Sequence, residues 1–163
     1  MKILVAYYSK TGNTKYIAEI LAKELKADLL EIKRKNDIKS SGFMLYFKGG
    51  FQSMTKQKSK LEELGKNLSN YDLIVLGAPV WAWRVHPAIR GLIAKENLAN
   101  KKIALFNSCS GEGNGLKVAE MTKELLKDSL VISEAEFIDP LINKKEEQEK
   151  KAKEWAKEIK KVK

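Results

Sequence analysis

Six apolar residues in a row, Ile3-Leu4-Val5-Ala6-Tyr7-Tyr8, admit few structures. A run without alternating polar positions suits a strand covered on both faces. The next stretch supplies one cover. Ile17, Ile20, Leu21 and Leu25 recur at helical spacing between about Asn13 and Lys26, with Lys15, Glu19, Lys23, Glu24 and Lys26 mostly on other faces. Leu29 to Lys33 reads as a second strand, and strand, helix, strand implies a parallel pair with a right-handed crossover.

The alternation continues. Asp72 to Gly77 is a third buried strand closed by Pro79, followed by a short helical stripe at Ile89, Leu92 and Ile93. Lys102 to Phe106 is a fourth strand, followed by a helix with Val118, Thr122, Leu125 and Leu126 on one face. Leu130 to Ile138 is a fifth, broken by Asp139-Pro140. A last helix over about 143–162 has the stripe Ala152, Trp155, Ala156, Ile159 and Val162. Leu61 to Leu68 is predicted helical, interrupted or ended near Gly65. Five strands alternating with five helices argue for an α/β fold, a doubly wound parallel sheet with helices on both faces. Residues 1–163 read as one domain without repeat or linker.

Residues 34–60 are the least regular part. Ser40-Ser41-Gly42 and Gly49-Gly50 are loop signals, and between and after them Phe43, Phe47 and Phe51 stand four apart. Two readings compete: a short helix packing its aromatic face on the body, or a basic cover over a site at the strand ends.

The formal net charge is +10, unevenly spread. Residues 33–60 hold eight Lys/Arg against one Asp, and residues 144–163 hold nine Lys against five Glu, so the rest is close to neutral. The interspersed Glu of the tail reads as a solvated face, and nucleic-acid binding rests on charge alone. One cysteine, Cys109, excludes an intramolecular disulfide and suits a reducing compartment. The apolar run after Lys2 is short for a signal peptide, and no stretch is long enough to span a membrane. The expectation is a soluble, cytoplasmic protein.

Ser9-Lys10-Thr11-Gly12-Asn13-Thr14 joins the first strand to the first helix. Free N–H groups at a helix start face outward, and the helix dipole favours an anion there. Gly12 permits close approach, and the hydroxyls of Ser9, Thr11 and Thr14 can add donors. The loop matches neither a Walker sequence nor a G-x-G-x-x-G turn. Ser-x-Thr-Gly-Asn-Thr after an N-terminal strand resembles the phosphate loop of the flavodoxin family. That resemblance implies strand order 2-1-3-4-5 and a bound flavin mononucleotide (FMN).

Two further loops leave strand ends, where ligands of parallel α/β sheets bind. Pro79-Val80-Trp81-Ala82-Trp83 resembles the family's second loop, in which an aromatic stacks on the flavin ring; Trp81 or Trp83 would take that role. Ser108, Cys109, Ser110, Gly111 and Gly113 would line the pyrimidine side through backbone groups. The family's second loop often carries a glycine whose peptide flips on reduction. None stands in Trp81-Ala82-Trp83, and positive φ is costlier at Ala82. Typical members are acidic. This basic chain implies an acidic redox partner and a raised reduction potential.

No residue is assigned a catalytic role. His86, the lone histidine, reads as a solvent-facing loop residue with proton donation to a reduced flavin as the sharper alternative. Cys109 reads as a small buried residue. No cluster has metal-ligand spacing. The expected function is an FMN-binding electron carrier; the alternative is an NAD(P)H-dependent quinone or flavin reductase on the same fold. A response regulator needs carboxylates where Ser9 and Ala78 or Pro79 stand, and a low-molecular-weight phosphatase needs a cysteine in the first loop, so both are excluded.

Overall fold

The computed structural model describes residues 1–38, 43–142 and 145–162, without the side chains of Phe43, Leu45 and Tyr46. In chain order the elements are β1 (Ile3–Tyr7), α1 (Asn13–Leu25), β2 (Asp28–Glu31), α2 (Phe43–Met54), β3 (Leu73–Pro79), α3 (Pro87–Lys95), β4 (Lys102–Cys109), α4 (Asn114–Leu125), β5 (Leu130–Ile138) and α5 (Lys145–Lys161). The strands form one parallel sheet in the order β2-β1-β3-β4-β5. This is the order the resemblance implied.

The unbroken apolar runs are buried because both faces of the sheet are covered. On one face Ile17 and Leu21 of α1, with Ala152, Trp155 and Ile159 of α5, pack on Val5, Val75 and Phe137. On the other, Ile89 and Leu92 of α3 and Val118 of α4 pack on Leu4, Ile74, Leu76 and Ile103. Each of the larger aliphatic and phenylalanine side chains among these stabilises the fold by roughly 1.5–3 kcal/mol. Trp155 also satisfies its indole N–H, which donates to Ser133 Oγ at 2.8 Å.

Residues 61–68 are not a helix. Leu61 forms an antiparallel bridge with Arg34, the Glu62 N–H donates to Lys33 at 2.9 Å, and the Lys35 N–H donates to Lys60 at 2.9 Å. The backbone beyond edge strand β2 needs partners, and this segment supplies them. Gly65, at φ 66°, turns the chain, and only Leu68–Asn70 form a single 3₁₀ turn.

The helix in this interval is α2, and it packs by its glycines. A Cβ on Gly49 would lie 2.5 Å from Trp81 Cε3, so only glycine allows the contact, and Ser53 one turn on is fully buried. The expected aromatic packing is reversed: Phe47 and Phe51 are 65% and 59% exposed. The loop signal at 40–42 lies outside the described residues.

Candidate functional site

The connections after β1, β3, β4 and β5 meet at the carboxyl edge of the sheet. Gly12 sits at the N-cap of α1 with φ 93°, and among the described residues no side chain caps the helix there. Ser9 Oγ beside it is buried without a hydrogen-bond partner. Lys10 turns away, its Nζ donating to Asp37 at 3.4 Å. Thr14 is buried and shares a 2.7 Å hydroxyl bond with Ser108 of β4, so it ties two loops together. Asn13 Oδ1 accepts the Leu141 N–H at 3.1 Å, and its Nδ2 donates to the Thr11 hydroxyl at 3.4 Å.

After β3 the Val80 N–H donates to the Ser108 carbonyl at 2.8 Å, extending the strand pairing by one residue. Trp81 then bridges Arg84, whose N–H donates to the Trp81 carbonyl at 3.1 Å. Between them Ala82 and Trp83 have φ 48° and 54°. Positive φ at both central residues marks a type I′ hairpin turn. The conformation expected to be costly at Ala82 is thus already adopted, held by the bridge around it. The side chains part company: Trp81 is buried, and Trp83 is 63% exposed.

His86 is not solvent-facing. It is 1% exposed, with Tyr8 stacked on it at 4.3 Å and Trp81 edge-on at 4.3 Å. Its Nδ1 accepts the Ala88 N–H at 3.1 Å and so caps α3, which leaves the proton on Nε2, an atom without a partner. Burial, then the Arg34 charge, hold its pKa well below the usual histidine range. It is a neutral wall behind Trp81.

β4 runs to Cys109, three residues beyond the sequence expectation, so Asn107, Ser108 and Cys109 belong to the strand. Behind the following turn stands Glu136 of β5, 5% exposed. Its carboxylate accepts the N–H groups of Gly113 at 2.8 Å, Gly115 at 2.9 Å and Leu116 at 3.4 Å. The Gly113 donor expected to serve a ligand is therefore occupied. Gly111 spends its carbonyl on the Cys109 thiol at 3.3 Å. Burial and the Glu136 carboxylate, 3.8 Å from Sγ, push that thiol up to about 11. Cys109 is no nucleophile at neutral pH.

These loops enclose one cleft, lined by Thr11, Asn13, Pro79, Val80, Trp81, Ser108, Cys109, Ser110 and Asp139. Of the residues picked from sequence, Ser9, Gly12 and Thr14 are not in this lining, though Thr14 is bonded to Ser108, which is. Lys10, Ala82, Trp83, Gly111 and Gly113 do not line it. Sequence reasoning missed Glu136 and the fourth connection. There Asp139 accepts from the Ser110 hydroxyl at 3.0 Å, its own N–H donates to the Cys109 carbonyl, and Leu141 lies 3.2 Å from where a Gly12 Cβ would stand. Two acidic residues, Glu134 and Glu136, inside a strand-like run were the available signal, and the sequence did not separate them. Among the described residues no helix is long and apolar enough to cross a membrane.

A family model described as flavodoxin matches residues 2–159. A flavoprotein of Lactobacillus acidophilus NCFM, solved in complex with FMN, is 26% identical at TM-score 0.69, over 86% of this chain and 94% of that one. Oxidised flavodoxin 2 of Bacillus cereus shares the fold at TM-score 0.57 and 21% identity, over 96% of this chain and 95% of that one. The flavodoxin-like domain-containing protein BilS of Clostridioides difficile (strain CD3) is 28% identical over 142 residues, which is 87% of this chain but 65% of the relative.

Proposed function

The chain belongs to the flavodoxin family, and from that premise we propose that it binds FMN non-covalently in the cleft and carries electrons between redox proteins. One observation carries the reading: among the described residues no side chain caps the N-terminus of α1, and the buried Ser9 hydroxyl of the same loop lacks a partner. A phosphate there would accept from both, favoured by the helix dipole. The FMN complex of the Lactobacillus relative supports the same cofactor.

Residues Ser9 to Thr14 would hold the phosphate, with Thr11 nearest solvent and Thr14 securing the loop to β4. Trp81 would stand against the ring, kept in place by Tyr8, His86 and Gly49. Ser108, Cys109 and Ser110 would border the pyrimidine side. When bound, the flavin supplies the redox chemistry, while the protein orients it and excludes water.

The carrier reading is favoured over the reductase one by the state of two proton-bearing side chains at the cleft, His86 and Cys109. His86 is neutral and walled in, and Cys109 keeps its proton to about 11. Neither is poised near neutrality, as general acid catalysis asks. The basic charge favours an acidic partner and a raised potential. The free, buried cysteine fits a reducing compartment such as the cytoplasm.

The test is a visible titration with FMN, followed by anaerobic reduction. Wild type should develop a bound-flavin spectrum, and Trp81→Ala and Thr11→Val should each weaken FMN binding about tenfold or more, the loss expected of a stacking contact or a charge-assisted hydrogen bond. Unchanged affinity in both variants removes the site. Rapid bleaching by NADPH alone would replace the carrier with the reductase.

A further inference from the structure

Helix α2 turns its apolar side to solvent. Met44, Phe47, Phe51 and Met54 are 48%, 65%, 59% and 65% exposed. Their spacing of three, four and three places them on one face of the helix. The opposite face is fixed by Gly49 against Trp81, and at the edge of the stripe a Cβ on Gly50 would sit 3.6 Å from that of Ala82. The neighbouring Trp83 is exposed as well, so the stripe adjoins the turn that holds the cleft's tryptophan. A contiguous row of exposed Met and Phe is costly in water and marks an interaction surface.

The stretch of chain that carries it, residues 33–60, is strongly basic, with eight Lys/Arg against one Asp. Lys56, Lys58 and Lys60 follow the helix, and Arg84 closes the adjacent turn, all exposed. The only acid between residues 33 and 60, Asp37, is occupied by Tyr8, Lys10 and Arg34.

We propose that the apolar stripe of α2 is the docking surface for a redox-partner protein that offers an apolar groove rimmed by carboxylates. Anchors at i, i+3, i+7 and i+10 are how a helix seats in such a groove. The basic surround steers an acidic face toward it and repels a second copy, since self-association would bring two chains of net charge +10 together. A bilayer can match the charge, but it holds no redox centre at a fixed place over the cleft. A protein seated on α2 and Trp83 would reach the cleft mouth. The inference rests on the electron-carrier reading, and it identifies the surface through which that carrier meets its partner.

The probe is a plant-type [2Fe–2S] ferredoxin, an acidic electron-transfer protein, titrated into ¹⁵N-labelled chain with and without FMN. Amide shifts should cluster at residues 44–54 and 82–84. The double variant Phe47→Ser/Phe51→Ser should raise the dissociation constant at least tenfold while FMN affinity and Tm stay unchanged, because neither ring is buried. Lys56→Glu/Lys58→Glu should weaken binding and flatten its salt dependence. In stopped flow, reduced ferredoxin gives one electron per cluster, two per flavin, and the Phe variant should slow that transfer by the same factor. Absent shifts on the stripe overturn the proposal. So does concentration-dependent dimerisation abolished by the Phe variant, or Phe-dependent binding to phosphatidylserine vesicles without ferredoxin binding. Failure to load FMN with stripe shifts intact defeats the cofactor reading instead.

Discussion

Helices α1 and α4 begin alike and differ in what fills their N-termini. Each follows a strand of the same sheet, and each has a glycine N-cap in the left-handed region, Gly12 at φ 93° and Gly113 at φ 76°, with no cap from its own side chain. At α4 the Glu136 carboxylate reaches across from β5 and takes three N–H groups. At α1 no side chain among the described residues takes that place, and the Ser9 hydroxyl three residues before Gly12 is unpartnered. A helix N-terminus asks for negative charge in either case. The protein supplies it internally at α4, and at α1 the FMN phosphate proposed above would supply it. One residue on a neighbouring strand makes the difference.

The largest effect should come from removing the built-in anion. Glu136→Ala leaves donors of a buried helix start unsatisfied, and hydrogen bonds to a charged group contribute about 1.5–3 kcal/mol each. We expect a loss of about 3 kcal/mol in urea unfolding of the apo chain, since water can enter the space vacated. If stability is unchanged, the carboxylate is dispensable and the contrast between the two helices has no energetic content.

A smaller effect separates the two glycines. Gly12→Ala places a left-handed alanine 3.2 Å from Leu141 Cδ1, at the edge of the cleft. Left-handed alanine costs about 1–2 kcal/mol, and the crowding adds a shift of the loop. FMN affinity should fall about tenfold, roughly 1.4 kcal/mol. Gly113→Ala meets nothing within 4 Å, so it should cost about 1 kcal/mol of stability and leave FMN affinity intact. Equal affinity losses in both variants, read by flavin fluorescence, would mean that both turns hold the ligand.

The same contrast explains what the sequence could reveal. The five strands were legible because their period differs from that of the helices, and the bare loop at 9–14 because its small polar residues follow one another directly. Glu136 was hidden because it acts on a loop more than twenty residues away in the chain. His86 precedes a proline in an apparent loop, and only packing shows that Tyr8 and Trp81 enclose it. At α2 the spacing of Phe43, Phe47 and Phe51 gave a face but not its direction. The glycines decided that by letting the helix approach Trp81. At 61–68 the apolar spacing suited a helix, but the unpaired backbone of 33–35 made the stronger demand.

The smallest effect concerns the thiol beside the filled N-terminus. Burial and then Glu136 push Cys109 from 9.0 up to about 11. Above pH 9 the unfolded chain releases this proton while the folded one retains it, so stability falls as pH rises from about 9 toward 11. At pH 9.5 the loss from this group is about 0.8 kcal/mol, and Cys109→Ala should abolish it. Tyr7, Tyr8 and Tyr71, all raised above 10.0 by burial or by carboxylate partners, add the same slope from about pH 10 upward, so the Cys109 contribution is read below that pH as the difference between wild type and Cys109→Ala. Glu136→Gln keeps the shape of the side chain and removes its charge. Its thiol should therefore ionise at lower pH, seen as faster iodoacetamide alkylation at pH 9 than in wild type, with part of the alkaline loss removed. An unchanged alkylation profile would assign the whole shift to burial. The carboxylate would then act at α4 only through its hydrogen bonds, and the two helix starts would differ in occupancy but not in local potential.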